Sequence, residues 1–141
     1  MAFDPFGDFE QAGYLRNLLA IKSQRHIKAM EHQAFLVSLP SCMVWLSRQD
    51  VLGYEQLLEV HRLLFCGVYP WAGKDRLELA STKNVRKGDT EFANPQDMRR
   101  AFIAGNSAKS HGQVLGYWAY AHPFLECNGR ALFVSFCFLS E

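Results

Sequence analysis

The sequence predicts a helix-rich, single-domain fold with one short β-hairpin, and three observations carry that expectation. Apolar residues recur at three- and four-residue spacing through most of the chain. A two-residue alternation suited to strands is confined to the stretch between Leu77 and Phe92. With 141 residues, 49% of them hydrophobic, the chain can build one sizeable core and is too short for two ordinary domains.

Taken in order, the spacing predicts amphipathic helices over 9–19 and 23–37, the second closed by Pro40. Asp50 is placed to cap a third, in which Leu57, His61, Leu64, Phe65 and Val68 share one face opposite Glu55, Gln56, Glu59 and Arg62. Leu77 and Leu79, a polar stretch holding Lys87-Gly88-Asp89, then Thr90 and Phe92 suit a two-stranded hairpin. Asn94-Pro95-Gln96-Asp97 supplies an N-cap, a proline at the first helical position and an acid in the first turn. A further helix is therefore expected to about Ala104. Leu115, Trp118, Ala119 and His122 fall on one side of the next helix and put His122 at its end, where Pro123 stops it. Ala131 to Leu139 is apolar on every side, and the helical context favours a central buried helix over a buried strand.

Fifteen basic against fourteen acidic residues leave a formal charge of +1, so the overall balance does not point to nucleic acid or a membrane surface. Any anion site must be local. Cys42, Cys66, Cys127 and Cys137 form no CxxC pair and no metal-type spacing, and no apolar signal segment opens the chain. A reduced, cytoplasmic setting is expected, with an exported effector lacking a cleavable signal as the alternative. No apolar stretch reaches the roughly 20 residues that span a bilayer.

The chemistry concentrates in His122-Pro123-Phe124-Leu125-Glu126-Cys127-Asn128-Gly129-Arg130. A loop entering a helix N-terminus presents unpaired N–H groups and a partial positive charge, which makes it an anion site. Arg130 can add a charge-assisted bond to phosphate, and Glu126 is a hard oxygen ligand for Mg²⁺ between phosphates. His122, on the preceding helix end, has a side chain suited to taking a hydroxyl proton near neutral pH. The ordinary alternative has His122 capping its helix, Phe124 in the core and Glu126 paired with Arg130 on the surface.

HPFLECNGR resembles the signature of Fic-domain proteins, HxFx[D/E]GN[G/K]R, and further blocks agree. Gly13-Tyr14-Leu15-Arg16-Asn17 resembles the start of many Fic domains. Val60-His61-Arg62, Leu64-Phe65, Val68-Tyr69, Trp71-Ala72-Gly73-Lys74 and Arg76 resemble the family's IHRxLF…VYxWAGxxR block, and Phe92-Ala93-Asn94-Pro95 the end of its flap. The resemblance implies an all-α Fic fold, a helical bundle with a β-hairpin flap over the active-site loop. It spans 1–141 as a single domain, with the flap at about 77–93 and the motif at 122–130. It also implies a protein adenylyltransferase that moves AMP from ATP to a Ser, Thr or Tyr hydroxyl of a target protein. His122 is then the general base and Glu126 the Mg²⁺ ligand. On the donor side stand Phe124, seating the loop, with Cys127, Asn128, Gly129 and Arg130 about the phosphates. The hairpin from Lys83 to Phe92 would pair with an extended target segment.

The departures from the family pattern set the alternatives. Cys127 stands where most active members have glycine, whose freedom at positive φ lets the backbone approach phosphate. A lowered thiol pKa at a helix N-terminus, with redox sensitivity, is the other reading of Cys127. Phe133 stands where the family motif has a second arginine, which removes a contact to the donor's terminal phosphates. Both changes point to weakened activity, to another phosphate-containing donor, or to a nucleotide- or partner-binding domain without turnover. No Ser or Thr is followed by Glu at the spacing of the family's inhibitory [S/T]xxxE[G/N] helix, which leaves inhibition to a separate antitoxin-like protein or to residues past Glu141. Family members commonly continue beyond the corresponding point, so C-terminal truncation is an open alternative. Neither nucleic acid in the site nor a membrane segment is expected. A zinc site from His111, His122 and Cys127 lacks a fourth ligand at the usual spacing. His61 and Trp71 read as core and flap-base residues. Arg99 and Arg100 read as a solvated helix face, with a target-docking patch as the alternative.

Overall fold

The chain was analysed as a computed structural model, which describes residues 4–139. Among these described residues there are seven α-helices, α1 (Phe9–Ala12), α2 (Gln24–Ser47), α3 (Tyr54–Phe65), α4 (Arg76–Ala80), α5 (Met98–Asn106), α6 (His111–Ala121) and α7 (Asn128–Leu139). Strands β1 (Arg86–Lys87) and β2 (Thr90–Glu91) pair antiparallel, Arg86 with Glu91 and Lys87 with Thr90. Helix α3 packs on α2 and α7, α6 on α5 and α7, and α2 on α7 as well, so α7 is held by three other helices.

The α3 stripe behaves as its spacing predicts. Leu57, His61, Leu64 and Phe65 are fully buried, while Glu55 and Arg62 face solvent; Val68 is buried too, but in the turn that follows the helix, which ends at Phe65 and not beyond Val68. Its cap is Gly53 rather than Asp50, with the Gly53 N–H donating to Gln56 Oε1 at 2.9 Å. Gly105 in α5 permits a close approach to α6, because a Cβ there would fall 2.6 Å from Trp118 Cδ1.

Five further expectations change in the fold. The helix expected over 9–19 stops at Ala12 and gives way to a 3-10 turn, Tyr14–Arg16, in which Leu15 and Arg16 take positive φ. Asn17 braces that segment: its amide donates to the carbonyls of Tyr14 and Ile21 and accepts from the Ile21 N–H. Pro40 does not close α2, which runs on to Ser47. Pro40 lies on the exposed side, so the backbone bond it forfeits to Leu36 is lost where water can replace it. Leu77 and Leu79 lie in helix α4, not a strand, because the Asp75 carboxylate accepts from the Glu78 N–H and starts a helix there. In α6 the buried stripe is Val114, Trp118 and Ala121, whereas Leu115 and Ala119 are exposed. Helix α7 starts at Asn128, and it is buried on one side only: Phe133 is 61% exposed.

Candidate active site

Helix α6 ends at Ala121, and His122 follows in the left-handed conformation, φ 43°. That turn is held by Arg76, which is fully buried. Its Nε donates to the His122 carbonyl at 2.7 Å, and its Nη2 donates to the carbonyls of Ala93 at 2.7 Å and Ala121 at 3.2 Å. The Arg76 N–H also donates to the Pro123 carbonyl at 2.8 Å. One guanidinium thus ties the last carbonyls of α6 to the chain leaving the hairpin.

The loop is seated by Phe124, which has no exposed surface and stacks on the His61 ring at 3.9 Å between centroids. The role of Phe124 is therefore support from the core, without a surface to offer a ligand. His61 Nδ1 accepts from the Gly73 N–H at 2.9 Å, so the ring proton lies on Nε2, which donates to the Glu126 carbonyl at 3.0 Å. Burial holds the His61 pKa down at about 4. Asn128 acts inside the loop too: its Oδ1 accepts from the Phe124 N–H at 2.8 Å and its Nδ2 donates to the Phe124 carbonyl at 2.7 Å. Its side chain is committed to bracing, which leaves only its backbone N–H for an anion.

A cavity of about 570 Å³ opens over this loop. His122 and Phe92 form one side, stacked at 3.8 Å. Cys127, Asn128, Gly129 and Arg130 form the other, at the N-terminus of α7, with Lys28, Arg86 and Lys87 around them. A Cβ at Gly129 would meet nothing within 4 Å, so the backbone there faces open space. Four cationic side chains against the single carboxylate of Glu126 in the lining give this cavity a local excess of positive charge on a chain of formal charge +1. Burial, then the positive charge of Arg76, lowers the His122 pKa to about 4, which keeps its imidazole neutral and able to accept a proton at pH 7.

Cys127 takes φ 67°, the left-handed region that favours glycine. Its Sγ lies 3.6 Å from Arg130 Nη2. Burial, reinforced by Glu31, pushes the thiol pKa up despite Arg130. The group is therefore a protonated thiol, not the activated thiolate of the redox alternative.

Three side chains that sequence reasoning missed complete the site. Glu31 of α2 is fully buried, accepting from Arg130 Nη2 at 2.8 Å and from the Tyr69 hydroxyl at 2.6 Å. Arg130 is thereby aimed from below, its guanidinium 5.1 Å from the Phe65 ring centroid. Tyr14 donates to Glu126 Oε1 at 2.5 Å, and Lys28 Nζ donates to Oε2 at 2.6 Å. The available signal was an acid, Glu31, four residues after Ile27 on the buried side of a long helix. Both Glu126 oxygens are engaged and an ammonium sits on one of them, so as arranged these residues do not fit a divalent ion. Among the described residues no group of three or more His, Cys, Asp or Glu is gathered around a metal position, and His111, His122 and Cys127 form no zinc site. Arg99 pairs with Glu55, and Arg100 with Asp97, on an exposed face. No helix among the described residues is long and apolar enough to cross a membrane.

A helical bundle in which a histidine ends one helix, a braced loop enters the next, and a hairpin overhangs both is the fold of the Fic domains of Bartonella effectors. The chain is 31% identical over 149 positions to the protein adenylyltransferase VbhT of Bartonella schoenbuchensis, a match that takes in 92% of this chain and 29% of that protein's length. Among solved structures, it superposes on the N-terminal Fic domain of a Bep effector, a VirB type IV secretion substrate from Bartonella sp. AR 15-3. The TM-score is 0.65 at 16% identity, over 87% of this chain and 66% of that one. BepC of Bartonella tribocorum, solved with bound AMPPNP, aligns with a TM-score of 0.56 at 18% identity, over 88% and 71%. No family model matches the chain.

Proposed function

We propose that this Fic domain, a single domain over 1–141, is a protein adenylyltransferase that transfers AMP from ATP to a hydroxyl of a target protein. The observation that carries the reading is the convergence of a neutral His122, the α7 N-terminus and Arg130 on one cavity beneath the hairpin. In this reading His122 takes the hydroxyl proton. The N–H groups of Asn128 and Gly129 receive the α-phosphate, Arg130 holds the outer phosphates, and the exposed hairpin aligns the target segment. Its likeness to translocated Bep effectors supports a bacterial effector role; a toxin role restrained by a separate antitoxin-like protein belongs to the same reading as a proposal.

Incubation of the purified chain with labelled ATP and a cell lysate tests this. The expected result is a gain of one AMP on a target protein by intact-mass spectrometry, reduced about 10²- to 10⁴-fold by His122→Ala. A second reading, a weakened domain that binds nucleotide without turnover, is favoured by the positive φ of Cys127 and the solvent-facing Phe133. Transfer by a Cys127→Gly, Phe133→Arg chain and none by the natural one would establish it instead. Transfer from CDP-choline or UTP but not ATP would reassign the donor.

A further inference from the structure

We propose that Lys28 is a resident cation of the cavity: it holds the place beside Glu126 that a divalent metal needs, and a metal reaches that carboxylate only after Lys28 leaves. The inference deepens the function proposed above and rests on it only for the identity of the donor. Lys28 Nζ lies 2.6 Å from Glu126 Oε2 and 3.6 Å from Glu31 Oε1, so it bridges an acid of its own helix, α2, and the acid of the loop. Mg²⁺ sits about 2.0–2.1 Å from its oxygens. An ion bound at Oε2 would press against the ammonium already there, a like-charge contact that strongly disfavours it.

The rest of the carboxylate offers no way round. Oε1 is closed by the Tyr14 hydroxyl at 2.5 Å, and the segment carrying Tyr14 is fixed by the Trp71 Nε1 bond to the Leu15 carbonyl at 2.8 Å. Glu31, the nearest other acid, is fully buried and already holds Arg130 and Tyr69. Lys28 itself is half-exposed and lines the cavity, so its flexible stem can swing away without disturbing α2. Metal entry is thus coupled to the movement of one side chain.

A Mn²⁺ titration followed by electron paramagnetic resonance, on the full chain without nucleotide, decides the point. Lys28→Met should bind Mn²⁺ at least about tenfold more tightly than the natural chain, since it deletes the competing charge and keeps the stem. Lys28→Arg should not, and Glu126→Gln added to Lys28→Met should remove the gain. Equal Mn²⁺ affinity in the natural chain and Lys28→Met would overturn the proposal, as would a gain that survives Glu126→Gln. A parallel titration with AMPPNP and Mg²⁺ separates the two readings. Failure of every variant to bind that nucleotide counts against ATP as donor, while the Mn²⁺ comparison judges Lys28 by itself.

Discussion

At Cys127 the backbone turns through φ 67°, where an L side chain costs about 1 kcal/mol relative to glycine. The same side chain is nearly buried, and its loss removes packing of similar size. Cys127→Gly should therefore leave the urea midpoint almost unchanged, within about 1 kcal/mol, while AMPPNP binds more tightly because the Sγ no longer crowds the entrance to α7. Calorimetric titration showing equal or weaker nucleotide binding in Cys127→Gly would remove Cys127 as the cause of any weakness. His122 makes a second residue-scale case. Its burial and the nearby Arg76 oppose an added positive charge more than Glu126 favours it. Its ring resonances should stay those of neutral imidazole down to about pH 4, and an NMR titration midpoint near the ordinary 6.5 would contradict that environment.

Between elements, Arg76 joins the end of α6 to the strand exit at Ala93 through three carbonyls, and the Ala93 N–H answers by donating to Tyr120 at 2.9 Å. Lysine cannot reproduce a planar fork that serves separated acceptors. Arg76→Lys should destabilise the fold by about 2 kcal/mol, leaving buried carbonyls unpaired, and should speed hydrogen exchange in residues 85–93 more than in α3. Uniform exchange changes across the chain would show that Arg76 supports the core in general and not this junction. How much of this was legible in the sequence differs by element. The α3 stripe was legible because Leu57, Leu64 and Phe65 have no stable place except a core, and the polar cluster from His122 to Arg130 stands out against the apolar runs on either side. The helix over 9–19 was not, because its path is set by Asn17 and by the pull of Tyr14 toward Glu126. Tyr14–Glu126, Lys28–Glu126 and Glu31–Arg130 join residues 112, 98 and 99 positions apart, and no local pattern encodes such pairings. Pro40 misleads for the opposite reason: its local effect is real, but α2 places it toward water, where the missing bond is cheap.

For the molecule as a whole, two histidines packed around the same loop make stability depend on pH in a defined window. His61 is wholly buried, His122 partly so, and both have folded pKa values near 4 against an ordinary 6.5. Between those values the unfolded chain binds protons that the folded chain refuses, so stability is full above about pH 6.5 and falls as pH drops toward 4. His61 has a structural reason to resist, since protonation would turn its Nδ1 from an acceptor into a donor facing the Gly73 N–H. Each refused proton contributes a slope of up to about 1.4 kcal/mol per pH unit in that window. Carboxylates in general also take up protons as pH falls, so the histidine share needs its own control. Glutamine at position 61 offers an oxygen toward Gly73 and an N–H toward Glu126 without titrating. Urea unfolding at pH 7.0, 5.5 and 4.5 should show a steep loss for the natural chain and a shallower one for His61→Gln. Parallel losses in the two chains would mean that His61 bonds in the loop without governing the acid response, and that the charge sensitivity of the fold lies in its carboxylates.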